Sequence, residues 1–128
     1  MTQKEKSLLL QDLCARLPYR PKCHFKYGTA EDDIILKCID GDVARFDYGY
    51  FGNFHVIIDP KYIKPYLRPM ESMSRDEYYE FEKIEEELNN HFDSITAQTD
   101  WLIKNHFDRR GLIPMGLALP AKEGMYRI

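Results

Sequence analysis

Ser74-Arg75-Asp76-Glu77, followed by apolar residues at helical spacing, constrains this chain more than any other stretch. Serine at a helix start accepts from the backbone N–H three residues on, and glutamate there reaches back to the serine N–H. Met73 and Tyr78 flank that box as a hydrophobic staple. Tyr78, Phe81, Ile84, Leu88 and Phe92 then fall on one face, which predicts a helix of about five turns. Glu85 lies inside that stripe by helical angle, so it must reach solvent or meet a cation. A shorter helix is expected over residues 96–107. Residues 74–93 hold eight acids and two bases, against thirteen and sixteen elsewhere. A solvated acidic face is the preferred reading, ahead of a docking strip for a basic partner.

The same capping logic applies at Thr2 and Glu5, where Leu10, Leu13, Cys14 and Leu17 predict the buried face of a helix that Pro18 ends. Residues 19–59 change period. Cys23, Phe25 and Tyr27 alternate with His24 and Lys26, as in a half-buried strand. Residues 28–33 read as a polar loop, 34–39 as a strand, Asp40-Gly41-Asp42 as a turn, 43–50 and 54–58 as strands. Pairing should stop at Pro60, which donates no N–H. Residues 60–73 form a proline-containing connector, 74–110 two helices, and 111–128 an extended tail over the core. The expected fold is α+β: one domain over residues 1–128, with a strongly bent antiparallel sheet of four or five strands. An SH3-like barrel is the specific expectation.

The length, 128 residues, suffices for a core without metal or disulfides. Cys14, Cys23 and Cys38 form no C-x-x-C pair and read as reduced core residues of a cytoplasmic protein. The N-terminal leucines are interrupted by Gln11, Asp12 and Arg16, so neither a signal peptide nor a membrane span is expected. A net charge of −3 offers no global case for nucleic acid.

The words Asn90-His91-Phe92-Asp93 and Asn105-His106-Phe107-Asp108 repeat one tetrapeptide. Gathered together, His91, Asp93, His106 and Asp108 could hold a metal, but H-x-D lacks the diagnostic spacing of known ligand sets. Two helix endings are the preferred reading, with histidine favoured by the dipole and asparagine by the left-handed turn. His24 and His55 read as exposed strand residues. No nucleophile elbow, P-loop or dinucleotide fingerprint is present, so no catalytic residue and no cofactor are expected. Tyr48, Tyr50 and Phe51 are the candidate partner-binding aromatics, with core packing as the simpler alternative. Arg109 and Arg110 are candidate partner contacts, cappers of carbonyls, or partners of the acidic helix. A protein partner or a homo-oligomer through the apolar tail is favoured. Nucleic acid on the sheet is the weaker alternative, because Asp47 interrupts the aromatics. A metal-dependent hydrolase is weaker still.

The strings KPYLRPMESMS, WLIKNHFDRRGLIPMGLALPAKEGMY and KSLLLQDLCARLPY cover both ends and the Lys64–Met73 junction. In these the chain resembles a family of short uncharacterised proteins from gut Bacteroidetes and their phages or mobile elements. The resemblance implies a cytoplasmic accessory protein of protein-binding type and carries over no activity and no site residue.

Overall fold

The computed structural model of the chain describes residues 2–40, 43–47, 55–88 and 90–126. Helix α1 (Gln3–Arg16) opens on the expected box, with Thr2 Oγ1 accepting from Glu5 N and Glu5 returning to Thr2 N. Its buried face is Leu9, Asp12, Leu13 and Arg16: of the expected Leu10, Leu13, Cys14 and Leu17, Leu13 is buried and Leu17 packs partly against the core, so the face is rotated by about one position. Cys14 is exposed. The shift has a cause: Asp12 and Arg16, four residues apart, neutralise each other by two hydrogen bonds and enter the core as a pair. Counting apolar residues alone misplaces such a face.

Strands β1 (Lys22–Tyr27), β2 (Ala30–Asp40), β3 (Val43–Asp47), β4 (His55–Ile58), β5 (Ile63–Leu67) and β6 (Leu119–Pro120) form one sheet in the order β4-β3-β2-β1-β5-β6. Most neighbours are antiparallel, but β5 and β6 run parallel, so the sheet is mixed rather than wholly antiparallel. Among the described residues the ladder stays open, with β4 and β6 as its edges, and the expected SH3-like closure is not seen. The expected loop at 28–33 is mostly strand. Gly28, at φ 60, turns the chain, and two cross-strand pairs, the oppositely charged Lys26 and Glu31 and the hydrogen-bonded His24 and Asp33, hold the rest in register. The connector likewise contains a strand. Pro65 sits in β5 opposite Cys23, and where the ladder would continue, Tyr126 Oη accepts from Lys22 N at 3.2 Å and donates to Tyr66 O at 2.8 Å. A tail side chain thus replaces a missing rung between two strands.

One face of the sheet presents Cys23, Phe25, Ile34, Leu36, Ala44, Phe46 and Ile63 to Leu9 and Leu13 of α1. Phe25 and Phe46 meet ring to ring at 4.9 Å. Fully burying each such side chain stabilises by about 1.5–3 kcal/mol. The tail adds Leu112, Leu117 and Ala118 around Leu67, as its apolar composition suggests. No helix among the described residues is long and apolar enough to cross a membrane.

Helices α2 (Arg75–Glu87) and α3 (His91–Lys104) lie against each other through Phe81 and Trp101, whose rings are 5.6 Å apart. The Ser74 box forms as expected. The single long stripe does not. α2 stops at Glu87, buries no residue completely, and exposes Tyr78 and Glu85, while Phe92 belongs to α3 and is 79% exposed.

Candidate functional site

The twin tetrapeptides bracket one helix. The first opens α3: Asn90 Oδ1 accepts from Phe92 N at 2.9 Å, and Asp93 lies in the first turn, where the dipole favours an acid. Its expected role as a helix ending is therefore corrected. The second closes α3. His106 is left-handed at φ 66, its N–H reaches Ile103 O at 3.0 Å, and Phe107 N reaches Leu102 O at 2.9 Å, the paired bonds of a Schellman turn. Phe107 is fully buried and stacks on Trp101 at 5.7 Å. Asp108 turns inward, accepting from Leu112 N at 2.8 Å and Ile113 N at 3.0 Å. Eleven residues of α3, Ser94 to Lys104, separate the two words, which at 1.5 Å per residue is about 17 Å. His91 and Asp93 therefore cannot share an ion with His106 and Asp108. No metal-binding cluster occurs among the described residues.

Arg68, unremarked in sequence, organises this corner. Its guanidinium grips Glu77 of α2 by two bonds of 2.7 and 2.8 Å and lies 4.2 Å above the Phe107 ring. Its own backbone bonds to both His106 and Asp108. The Arg68 guanidinium holds the Glu77 carboxyl below its ordinary range. Arg110 does not pair with acidic α2; its Nε lies 3.4 Å from Asp12 on α1. Arg109 is exposed. Tyr48, Tyr50 and Phe51 lie outside the described residues.

His106 packs flat on Tyr126 at 3.7 Å. Burial first, then the cations Arg16, Arg68 and Lys22, lower its pKa to about 4. A folded-state value below the unfolded one, near 6.5, gives stability that is complete above 6.5 and is lost as pH falls toward 4. The urea midpoint should therefore decline between pH 7.5 and 5. His106→Asn, which tolerates the left-handed turn and cannot titrate, should flatten that decline. Equal slopes in both proteins would remove the assignment.

On the face of the sheet away from α1, the structure gathers residues that sequence reading left apart. His24 of β1 faces two carboxylates, with Nδ1 3.0 Å from Asp33 and Nε2 2.8 Å from Glu31. Tyr66 of β5 donates to Asp33 Oδ1 at 2.6 Å, and Lys122 of the tail donates to Oδ2 at 2.7 Å. The hydrogen bonds from Lys122 and then Tyr66 hold the Asp33 carboxyl well below the usual carboxylate range. Burial and then Asp33 raise Tyr66, and Asp33 and then Tyr66 raise Lys122. Elsewhere, burial pushes the Cys23 thiol up, away from thiolate. The alternation at 22–27 could have flagged His24 as facing Asp33, had the strand been extended back to Ala30. Tyr66 and Lys122 carry no local signal.

A second surface lies on α2 and α3. Tyr79 is 68% exposed, with Tyr78, Leu88, Phe92 and Ile95 also open, among the exposed acids Glu82, Glu85, Glu86 and Asp93. Beside it Met70, Met73, Tyr78 and Phe81 line a groove of about 450 Å³.

These features define an α+β domain with an open mixed sheet, one polar sheet face and an acidic, aromatic helical pair. No protein-family model matches this chain, and neither does any curated protein or solved structure.

Proposed function

We propose that the protein is a non-enzymatic interaction module whose partner is a protein bearing a basic segment with apolar anchors. One observation carries the reading: α2 buries none of its thirteen residues completely, yet displays tyrosines among carboxylates beside a methionine-lined groove. Contiguous exposed apolar surface rimmed by charge is characteristic of interfaces. Methionine and aromatic side chains seat varied apolar anchors, and the carboxylates complement a basic segment. The proposed contact moves from the sheet aromatics to the helices, since the tail that sequence reading offered for self-association is largely packed.

Three groups of the polar sheet face support the non-enzymatic side of this reading. A general base or nucleophile works best with a pKa near neutrality. Asp33, Tyr66 and Lys122 are each displaced away from it. The cytoplasmic setting and the resemblance to proteins of gut Bacteroidetes and their mobile elements belong to the same proposal.

Proximity capture in cells, compared between wild type and a Tyr79→Ala/Phe92→Ala variant, tests it. Both residues are mostly exposed, so stability should change by no more than about 0.5 kcal/mol each. A partner set that disappears in the variant is the expected result. An identical set, or none in either protein, counts against the module; a second copy of the chain in the captured set redirects it to self-association. A nucleic-acid reading has one observation in its favour, the row Lys22, Lys26 and Lys64 on the open sheet face. It requires affinity that falls steeply with salt.

A further inference from the structure

A cavity of about 750 Å³ lies between residues 17–22 and the open face of β2, with Met125 of the tail across it. That volume is within the range of small-molecule sites. Arg20 and Lys22 stand at its wall, and the one acid among its described lining residues, Asp33, is already engaged by Lys122. Lys22 Nζ is aimed by its bond to Met125 O at 2.8 Å, and an ammonium carries two further donors. The remaining wall is apolar, formed by Leu17, Pro18, Ile35 and Met125. Ile35 is 46% exposed, flanked along its strand face by Asp33 and Lys37.

Arg20 supplies an independent observation. It is held at φ 52, ψ 68, left-handed, with its N–H closing on Leu17 O at 3.1 Å. A side chain with a Cβ avoids that conformation, and glycine occupies it without penalty. Strain of this kind concentrates at binding sites, where a side chain's position outweighs its local cost. Here the strained residue is a cation at the cavity wall.

We propose that this cavity binds a small amphipathic anion, a carboxylate or phosphate monoester bearing an alkyl or aryl group. The charged end lies between Arg20 and Lys22, and the apolar end lies along Pro18, Ile35 and Met125. This site is separate from the helical surface above and stands whether or not that surface engages a partner.

Octanoate, octyl phosphate, inorganic phosphate and octylamine, each titrated into isotope-labelled protein below its aggregation limit, decide the matter by amide and methyl shifts. Saturable shifts at Ile35, Lys22 and Met125 with one or both amphipathic anions are expected, and which of them binds tighter identifies the headgroup. Inorganic phosphate alone should bind roughly tenfold more weakly, and octylamine should not bind there. Arg20→Gly relieves the backbone strain while removing the charge. It should weaken binding roughly tenfold with the fold intact or steadier, which separates lost recognition from lost structure. Unchanged affinity in Arg20→Gly, equal binding of octylamine, equal binding of bare phosphate, or no saturable shifts with any probe overturns the proposal.

Discussion

Arg16→Ala is expected to lower the unfolding free energy by about 3–5 kcal/mol, the range for breaking a buried ion pair. The Arg16 side chain is 0% exposed and makes three hydrogen bonds: to Asp12 Oδ2 at 2.7 Å, to Asp12 Oδ1 at 3.2 Å, and to Phe107 O at 2.7 Å. Truncation leaves a carboxylate in the core, with Arg110 at 3.4 Å as the only other cation bridged to it among the described residues. It also strips the Phe107 carbonyl of that donor. A domain of ordinary stability, about 5–15 kcal/mol, loses a large part of its margin. Replacing both partners by apolar residues, Asp12→Leu with Arg16→Met, should recover the part of the loss due to the unpaired carboxylate, because a buried pair gains little over a well-packed apolar pair, while the Phe107 carbonyl still lacks that donor. Urea unfolding of the two single variants and the double variant measures this. A single variant within about 1 kcal/mol of wild type would show that Asp12 is not desolvated as described.

The twin tetrapeptides yield the second large effect. Phe107→Ala should cost about 3–5 kcal/mol and Phe92→Ala no more than about 0.5, although the two residues have identical immediate neighbours in sequence. Phe107 is fully buried between Trp101 and the Arg68 guanidinium, whereas Phe92 lies in solvent. The aspartates should split the same way. Asp108→Ala leaves the backbone N–H groups of Leu112 and Ile113 without their acceptor, a loss of about 1–3 kcal/mol for each group that stays buried and unpaired. Asp93 is exposed, and its removal should forfeit only a dipole contribution of about 0.3–1 kcal/mol. Thermal and urea unfolding of the four single variants settle it. Equal effects at the two copies would contradict the burial assignments.

Local chemistry was readable wherever it involves residues a few positions apart. Both capping boxes, at Thr2 and Ser74, form as read, because their bonds close within one turn of helix. The alternation placed Cys23 and Phe25 inward as read, but Tyr27, third in the same row, is exposed at the end of the strand and meets Tyr62 instead. Errors begin where a distant residue decides. The phase of α1 depends on Asp12 and Arg16 meeting each other and the Phe107 carbonyl ninety-one positions away. β5 exists despite Pro65 because β1 pairs with it and Tyr126 fills the rung that would follow. The polar cluster around Asp33 joins β1, β2, β5 and the tail, and no spacing within any one of them announces it.

The sequence alone determined the α+β class, the capped helix starts and the segregation of acid onto residues 74–93, since propensity, capping and charge are local properties. Tertiary structure decided what the repeated words do. Asparagine serves equally as an acceptor at a helix start and as a residue near the left-handed turn at its end. Only the pairing of Arg68 with His106 and Asp108 made one copy a buried corner and left the other an exposed opening.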